Sequence, residues 1–190
     1  MLANRRINKL TTEMMSMLNL DPSDQETVFA YLKRAHNMNA NIMYAIEKAN
    51  KRRIEKDWPY TYWFFDLHET IIVPNYEPGN IPKEFYPDAK ETLQMISKRT
   101  DIKLHLYTCS WPNEVEQYDA YFKENDINFD FLEADNPEVK NERLGYYDNK
   151  PYFNVLFEDK AGFDPSYWKF VKEYLEENPD PNTNDKEYSL

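Results

Sequence analysis

Three apolar segments of this chain each end in polar side chains that can bind ligands or take part in chemistry. These are residues 63–65, followed by Asp66; residues 102–107, followed by Thr108; and residues 153–157, followed by Glu158-Asp159. Short apolar runs bounded by polar residues are typical of buried strands. Open α/β sheets bind their ligands beyond the carboxyl ends of their strands. We therefore predict a site where acidic and hydroxyl groups from three strand ends meet.

The segments between these strands predict the elements that position the site. Residues 88–99, 113–124 and 167–176 have helix-forming sequence, and Pro112 stands at a natural helix start. Residues 129–132 predict a short strand, and the proline-rich stretch 74–87 predicts a loop. Strands that alternate with helices predict an α/β fold with a parallel sheet.

A long helix is predicted before the first strand. Residues 23–26 form a capping box, and an apolar stripe interrupted by Asn39 runs over residues 28–49. A shorter helix is predicted over residues 8–18. The stripe packs on the same protein or, alternatively, on a partner helix or a second copy of the chain, with Asn39 setting the register. We divide the chain into an amino-terminal helical extension (1–57), an α/β core (58–176) and a flexible tail (177–190).

The composition of the chain, with 190 residues and 41% hydrophobic, restricts the classes of function. Its net charge is −11, and residues 1–57 hold 10 basic against 7 acidic residues, so the acidic charge lies in the remainder. An acidic body disfavours tight nucleic-acid binding. Only 3 glycines occur, which excludes a Gly-rich phosphate loop. No apolar run reaches about 18 residues, so we expect no membrane contact and a cytoplasmic location. The single cysteine, Cys109, excludes an intrachain disulfide and a cysteine-based metal site.

The acidic and hydroxyl groups at the strand ends resemble the motifs of the haloacid dehalogenase superfamily of phosphatases and phosphotransferases. Asp66-Leu67-His68-Glu69-Thr70 is similar to its first motif, Asp-x-Asp-x-Thr, and Thr108 is similar to its second. Lys150 and the pair Glu158-Asp159 resemble its third and fourth motifs, in the same order. The resemblance covers roughly residues 60–175 and implies a Rossmann-like three-layer core. The intervals Asp66–Thr108 and Thr108–Lys150, 42 residues each, leave no room for a large cap domain.

The chemistry that this resemblance implies is Mg²⁺-dependent hydrolysis of a phosphomonoester through an aspartyl phosphate. Magnesium prefers oxygen ligands. The resemblance implies that Asp66 is the nucleophile and that His68 is the acid and base. Phosphate would be bound by Thr108 and Lys150, with Lys140 as the alternative lysine. The metal ligands would be Asp66, the backbone carbonyl of His68, and Glu158 or Asp159, and Asp164 would orient the metal's waters.

His68 departs from the motif, because the superfamily's phosphatases have an acid at this position. Histidine can exchange protons near neutral pH, but its reach differs from that of a carboxylate. The alternatives are a phosphatase adapted to histidine, a phosphotransferase with another acceptor than water, and a catalytically impaired interaction protein that uses its long helix.

An uncapped site favours a bulky phosphorylated substrate, and we expect a nucleotide or a polynucleotide end. The basic cluster formed by Lys48, Lys51, Arg52, Arg53 and Lys56 is interpreted as a solvated helix end or, alternatively, as a surface that steers a phosphate-rich ligand toward Asp66. Several aromatic residues of the strand-flanking segments could stack on bases, although core packing accounts for most of them.

Overall fold

The computed structural model describes residues 42–75, 80–132, 138–141, 146–147 and 150–182. Its elements in chain order are helix α1 (42–55), strand β1 (Thr61–Phe65), helix α2 (Ala89–Ile96), strand β2 (Ile102–Leu106), helix α3 (Pro112–Glu124), strand β3 (Val155–Phe157), two 3₁₀ helices (Asp159–Ala161 and Pro165–Tyr167) and helix α4 (Trp168–Glu177). The predicted helices at 88–99, 113–124 and 167–176 are confirmed. The predicted helix over 8–18, the capping box and the stripe up to Asn39 lie outside the described residues.

The sheet is parallel and has the order β2-β1-β3. Phe65 at the end of β1 lies opposite Leu106 on one side and Phe157 on the other. The chain therefore passes from β1 to one neighbour and later crosses back to the other side of β1. Such a reversal of strand order opens a crevice beyond the carboxyl ends of the strands. The predicted α/β class with a parallel sheet is confirmed.

One face of the sheet forms the main hydrophobic core together with all four helices. Trp63 and Phe65 point to this face, and Phe65 stacks on Phe157 with ring centroids 4.4 Å apart. Trp168 at the start of α4 lies parallel to Phe157 at 5.4 Å and is fully buried. Burial of these large aromatic surfaces is the dominant stabilising contribution to the fold.

The opposite face of the sheet differs from the predicted three-layer architecture. Phe64 and His105 are fully buried on this face. Phe64 stacks on His105 at 4.4 Å and lies 5.4 Å from Phe153, while Phe131 stacks on His105 at 4.2 Å. Within the described ranges, irregular segments therefore supply this cover, where a helical third layer was expected.

The predicted strand at 129–132 is wrong, since only a single bridge joins Phe131 to His105. The Asp130 carboxylate accepts a hydrogen bond from the Leu104 amide at 2.9 Å and pairs with Lys103 at 2.8 Å. A side chain thus takes the place that a backbone carbonyl would occupy in a continued ladder. The pairing therefore does not extend back from Phe131 to Phe129.

The predicted boundary at residue 57 does not separate two cores. Ile42, Ile46 and Ala49, part of the apolar stripe on α1, are buried in the same cluster as the sheet. The described residues from Ile42 to residue 182 belong to one compact unit. Helix α1 is therefore part of the α/β core.

The predicted flexible tail also begins too early, because residues 177–182 are attached to the core. Glu177 closes α4, and Asp180 is only 5% exposed. The Asp180 carboxylate accepts hydrogen bonds from the Thr100 amide at 2.6 Å, the Thr100 hydroxyl at 3.0 Å and the Asn182 amide at 2.9 Å. Sequence composition missed this contact because it joins residues that are far apart along the chain.

We expect Asp180→Asn to lower the free energy of unfolding at pH 7 by about 1–3 kcal/mol. Burial raises the pKa of Asp180, but the hydrogen bonds from Asn182 and Thr100 outweigh it, so the pKa lies below its ordinary value. A lowered pKa stabilises the fold above the unfolded-state pKa of about 3.9, and this contribution disappears as pH falls through the folded-state pKa. Urea unfolding at pH 7 and at lower pH measures the difference. A deficit that stays constant as the pH falls would contradict the assignment.

Candidate functional site

Three carboxylates meet at the carboxyl edge of the sheet. Asp66 directly follows β1, and its amide donates to the Phe157 carbonyl at 2.8 Å, which continues the pairing with β3. Asp66, Glu158 and Asp159 each place a carboxylate oxygen within 4.8 Å of the others. We call these three residues the acidic cluster. The structure thus brings together the acids that the sequence places after the first and third strands.

Thr70 connects the two segments that carry the acidic cluster. Its hydroxyl donates to Asp66 Oδ2 at 3.3 Å and accepts from the Asp159 amide at 3.2 Å. The Thr70 side chain is fully buried, and its carbonyl accepts from Trp168 Nε1 at 2.8 Å. The threonine at the end of the first motif therefore has a positioning role that the sequence alone did not assign.

The electrostatics of the cluster favour a bound cation. Burial, followed by weaker effects that include the charge of Asp159, raises the pKa of Asp66. Burial and the charge of Asp66 likewise raise the pKa of Glu158. Asp159 differs: burial acts against ionisation, but hydrogen bonds with Lys160 and with neighbouring acids lower its pKa. Negative charge in partly buried positions is stabilised by a cation.

The donor set of the cluster fits a hard divalent ion. All three groups are carboxylates. Carboxylate oxygens are suitable ligands for Mg²⁺, Ca²⁺ and Mn²⁺ and do not distinguish among these three ions. The side chain of Asp164 lies outside this set and accepts a hydrogen bond from the Ser166 amide at 2.8 Å, which caps the second 3₁₀ helix. The three-carboxylate arrangement therefore supports a metal site without selecting Mg²⁺.

The lysine beside the cluster is Lys160, and this differs from the prediction of Lys150. Lys160 Nζ lies 3.1 Å from Asp159 Oδ1 and 3.9 Å from Glu158 Oε1. Lys150 and Lys140 are exposed and form no ion pair with the acidic cluster. Lys150 precedes β3 and so lies toward the amino-terminal edge of the sheet. Lys160 follows β3 and so lies at the carboxyl edge, beside the acidic cluster. Lys160 directly follows Asp159 in the sequence, and this adjacency could have predicted that Lys160 lies beside the acidic cluster.

For the phosphate release that the resemblance implies, we expect Lys160→Ala to lower the rate about tenfold, and Lys150→Ala to leave it near the wild-type rate. The loss should remain below the roughly 10²–10³-fold effect of removing a buried oxyanion donor, because the Lys160 side chain is 79% exposed and screened by solvent. Steady-state rates of both variants at two salt concentrations test this. A larger loss in Lys150→Ala than in Lys160→Ala would show that Lys150 is the phosphate-binding lysine.

His68 contacts a residue on α3. Its Nε2 atom lies 2.9 Å from the hydroxyl of Tyr118, which is buried. Burial lowers the pKa of His68, although the charges of Asp66, Glu114 and Glu69 oppose this shift. A lowered pKa favours the neutral imidazole near pH 7. Tyr118 was missed by sequence analysis, since nothing in the local pattern relates position 118 to position 68.

Thr108 lies at the same edge of the sheet on the β2 side. The amide of Tyr107 donates to the Phe65 carbonyl at 2.7 Å, so the chain after β2 runs beside Asp66. Thr108 Oγ1 lies 3.1 Å from Ser110 Oγ and accepts from the Ser110 amide at 3.2 Å. The two hydroxyls precede Pro112, at the start of α3. Their place fits a role in anion binding, since helix starts present backbone amides.

Arg53 lies away from the surface that the basic cluster was expected to form. Its side chain is 13% exposed and lies 3.7 Å from Asp101, whose carbonyl accepts from the Thr61 amide. Thr61 is the first residue of β1, so Arg53 lies at the edge opposite to Asp66. Arg53 is therefore neither part of a solvated helix end nor part of a surface that steers a ligand toward Asp66, so both interpretations of the basic cluster are wrong for this residue.

Comparisons with known proteins identify no family. No family model matches the chain, and no curated protein matches it. A similar solved structure is that of a conserved protein coded by a locus of Bacteroides thetaiotaomicron, with 16% identity and a TM-score of 0.48. The match covers 67% of this chain and 99% of the other. No helix among the described residues has the length and apolar character needed to cross a membrane.

Proposed function

We propose that this chain is a metal-dependent phosphomonoesterase of the haloacid dehalogenase type that forms a phosphoryl intermediate on Asp66. The observation that carries the proposal is the acidic cluster beyond the middle strand of a parallel sheet, at the point where the strand order reverses. Ligand sites of open α/β sheets lie at such points. The hydroxyls of Thr108 and Ser110 at the neighbouring strand end supply donors for phosphate oxygens.

The metal would be held by Asp66, Glu158 and Asp159, and we propose Mg²⁺ as the resident ion. When bound, it supplies positive charge that offsets the repulsion between an anionic nucleophile and an anionic phosphate. Lys160 adds a second positive charge beside Asp159. The acidic cluster is then the part of the molecule that binds and orients the phosphoryl group.

The reaction proceeds in two steps. A carboxylate oxygen of Asp66 bonds to phosphorus while the phosphorus–oxygen ester bond breaks, and the leaving oxygen takes up a proton from solvent. Water then attacks phosphorus, inorganic phosphate leaves, and Asp66 returns to the carboxylate. His68, two residues after Asp66, is the candidate base that accepts the proton of this water. The hydrogen bond to Tyr118 holds its ring beside the site.

The substrate class that we propose is a nucleotide or a phosphorylated polynucleotide end. An assay of phosphate release from an aryl phosphate and a panel of nucleoside monophosphates, with and without Mg²⁺, tests both the reaction and the class. Metal-dependent release that requires Asp66 supports the phosphatase. A folded protein that binds Mg²⁺ but releases no phosphate from any substrate would favour the alternative, an impaired binding protein.

A further inference from the structure

A cavity lies at the amino-terminal edge of the sheet, opposite to the acidic cluster. Its volume is about 330 Å³, and α1, the start of β1, the segment before β2 and the end of α4 surround it. Ligand-binding pockets begin at about 300 Å³, so the cavity lies at the lower end of the range that holds small-molecule ligands. Apolar walls are formed by Trp63, Ile54 and Leu175. Trp63 Nε1 is already bonded to Thr61 Oγ1 at 3.0 Å.

The two arginines that line this cavity differ in how closely they pair with Asp101. Arg99 donates twice to the Asp101 carboxylate, at 2.8 and 2.9 Å, and once to the Asn178 carbonyl at 2.7 Å. Arg53 lies farther from the same carboxylate, at 3.7 Å. Asp101 therefore lies near two guanidinium groups, and the side chains of Arg53 and Arg99 are only 13% and 11% exposed. The exposed Glu177 also lines the cavity but forms no ion pair with Arg53. An anionic ligand beside Arg53 would give this guanidinium a closer partner than Asp101.

Donor groups remain at the cavity for such an anion. Arg53 donates from Nη2 to Asn50 Oδ1 at 3.3 Å, while its Nε and Nη1 make no hydrogen bond within the part of the chain that the structure describes. Asn50 Nδ2 in turn donates to the Tyr174 hydroxyl at 3.3 Å. This hydroxyl keeps its own hydrogen for an acceptor, because it is an acceptor in that contact. Asn50 thus holds a guanidinium and a phenol beside one another.

We propose that this cavity binds a small organic carboxylate with a short apolar chain or ring. Nε or Nη1 of Arg53 can donate to one oxygen of a carboxylate, and the Tyr174 hydroxyl can donate to the other. The apolar walls accommodate the body of the ligand. This inference is independent of the proposed phosphatase, since its residues lie at the opposite edge of the sheet.

Calorimetric titration of the full chain with butyrate, butyramide and inorganic phosphate tests this inference. Butyramide has nearly the shape of butyrate but no charge, so it separates charge recognition from apolar fit without any mutation. We expect saturable binding of butyrate, no measurable binding of butyramide and no displacement of bound butyrate by an equal concentration of phosphate. Absence of saturable butyrate binding, equal binding of butyramide, or displacement of butyrate by equimolar phosphate would each overturn the proposal.

Two variants and two controls locate the site. We expect Arg53→Gln to weaken butyrate binding about tenfold or more and Tyr174→Phe to weaken it severalfold. Arg52→Gln changes an exposed arginine on the same helix and should bind as the wild type does. Asp66→Asn should also leave butyrate binding unchanged. Tyr174→Phe keeps every charge and decides the matter if Arg53→Gln does not fold. Unchanged affinity in both folded variants would show that the ligand binds elsewhere.

Discussion

Replacing Asp66 by Asn is expected to reduce metal-dependent phosphate release by about 10³-fold or more, which is the order of loss when a covalent nucleophile is removed. An amide has nearly the shape of a carboxylate but lacks its negative charge, so its oxygen is a far weaker nucleophile toward phosphorus. The hydrogen bond from Thr70 still has a carbonyl oxygen as its acceptor in the variant. The fold should therefore change little, and the loss should lie in the chemical step.

Because Asp66 is also a candidate metal ligand, the activity assay needs a second readout. Wild-type protein quenched in acid with radiolabelled substrate should retain phosphate in a bond that hydroxylamine cleaves, as expected of an acyl phosphate, and Asp66→Asn should retain none. Asp126→Asn, an exposed change after α3, is the matched control. Label that persists in Asp66→Asn would assign the nucleophile to another residue and overturn the mechanism.

Trp168→Ala is expected to lower the free energy of unfolding by about 3–5 kcal/mol. The Trp168 ring is fully buried, lies parallel to Phe157 and also stacks on Phe65 at 6.1 Å. Its removal leaves a large cavity against the sheet and leaves the Thr70 carbonyl without its indole donor. Since Thr70 connects the acidic cluster, the variant should also bind divalent metal more weakly than the wild type. Urea unfolding and metal titration measure the two effects.

Trp168→Phe separates the hydrogen bond from the packing. Phenylalanine retains most of the stacked surface and loses the indole N–H, so we expect a smaller loss of stability, about 1–3 kcal/mol. The metal affinity of this variant should still fall, because the Thr70 carbonyl loses its donor in both variants. Wild-type metal affinity in a folded Trp168→Phe would show that this hydrogen bond does not position the acidic cluster.

The parts of the fold that could be predicted are those encoded in short segments. Strands such as Thr61–Phe65 and helices such as Pro112–Glu124 follow from apolar pattern and from Pro112 at a helix start. The prediction of a strand at 129–132 is wrong because the Asp130 side chain accepts a hydrogen bond from the Leu104 amide, which is distant in the sequence. Likewise, Asp180 has the composition of a tail but is anchored by Thr100.

For the candidate site, the sequence by itself determined the residues that leave the strands at their carboxyl ends. Asp66, Glu158 and Asp159 follow apolar strands directly, and parallel strands end at one edge, so their proximity follows from local pattern and sheet direction. Tertiary structure alone decided that Lys160, and not Lys150, joins them and that Tyr118 holds His68. It also decided that Arg53 shares Asp101 with Arg99 at the opposite edge. These contacts depend on strand order and on helix packing, which bring distant segments together, and no short stretch of sequence specifies them.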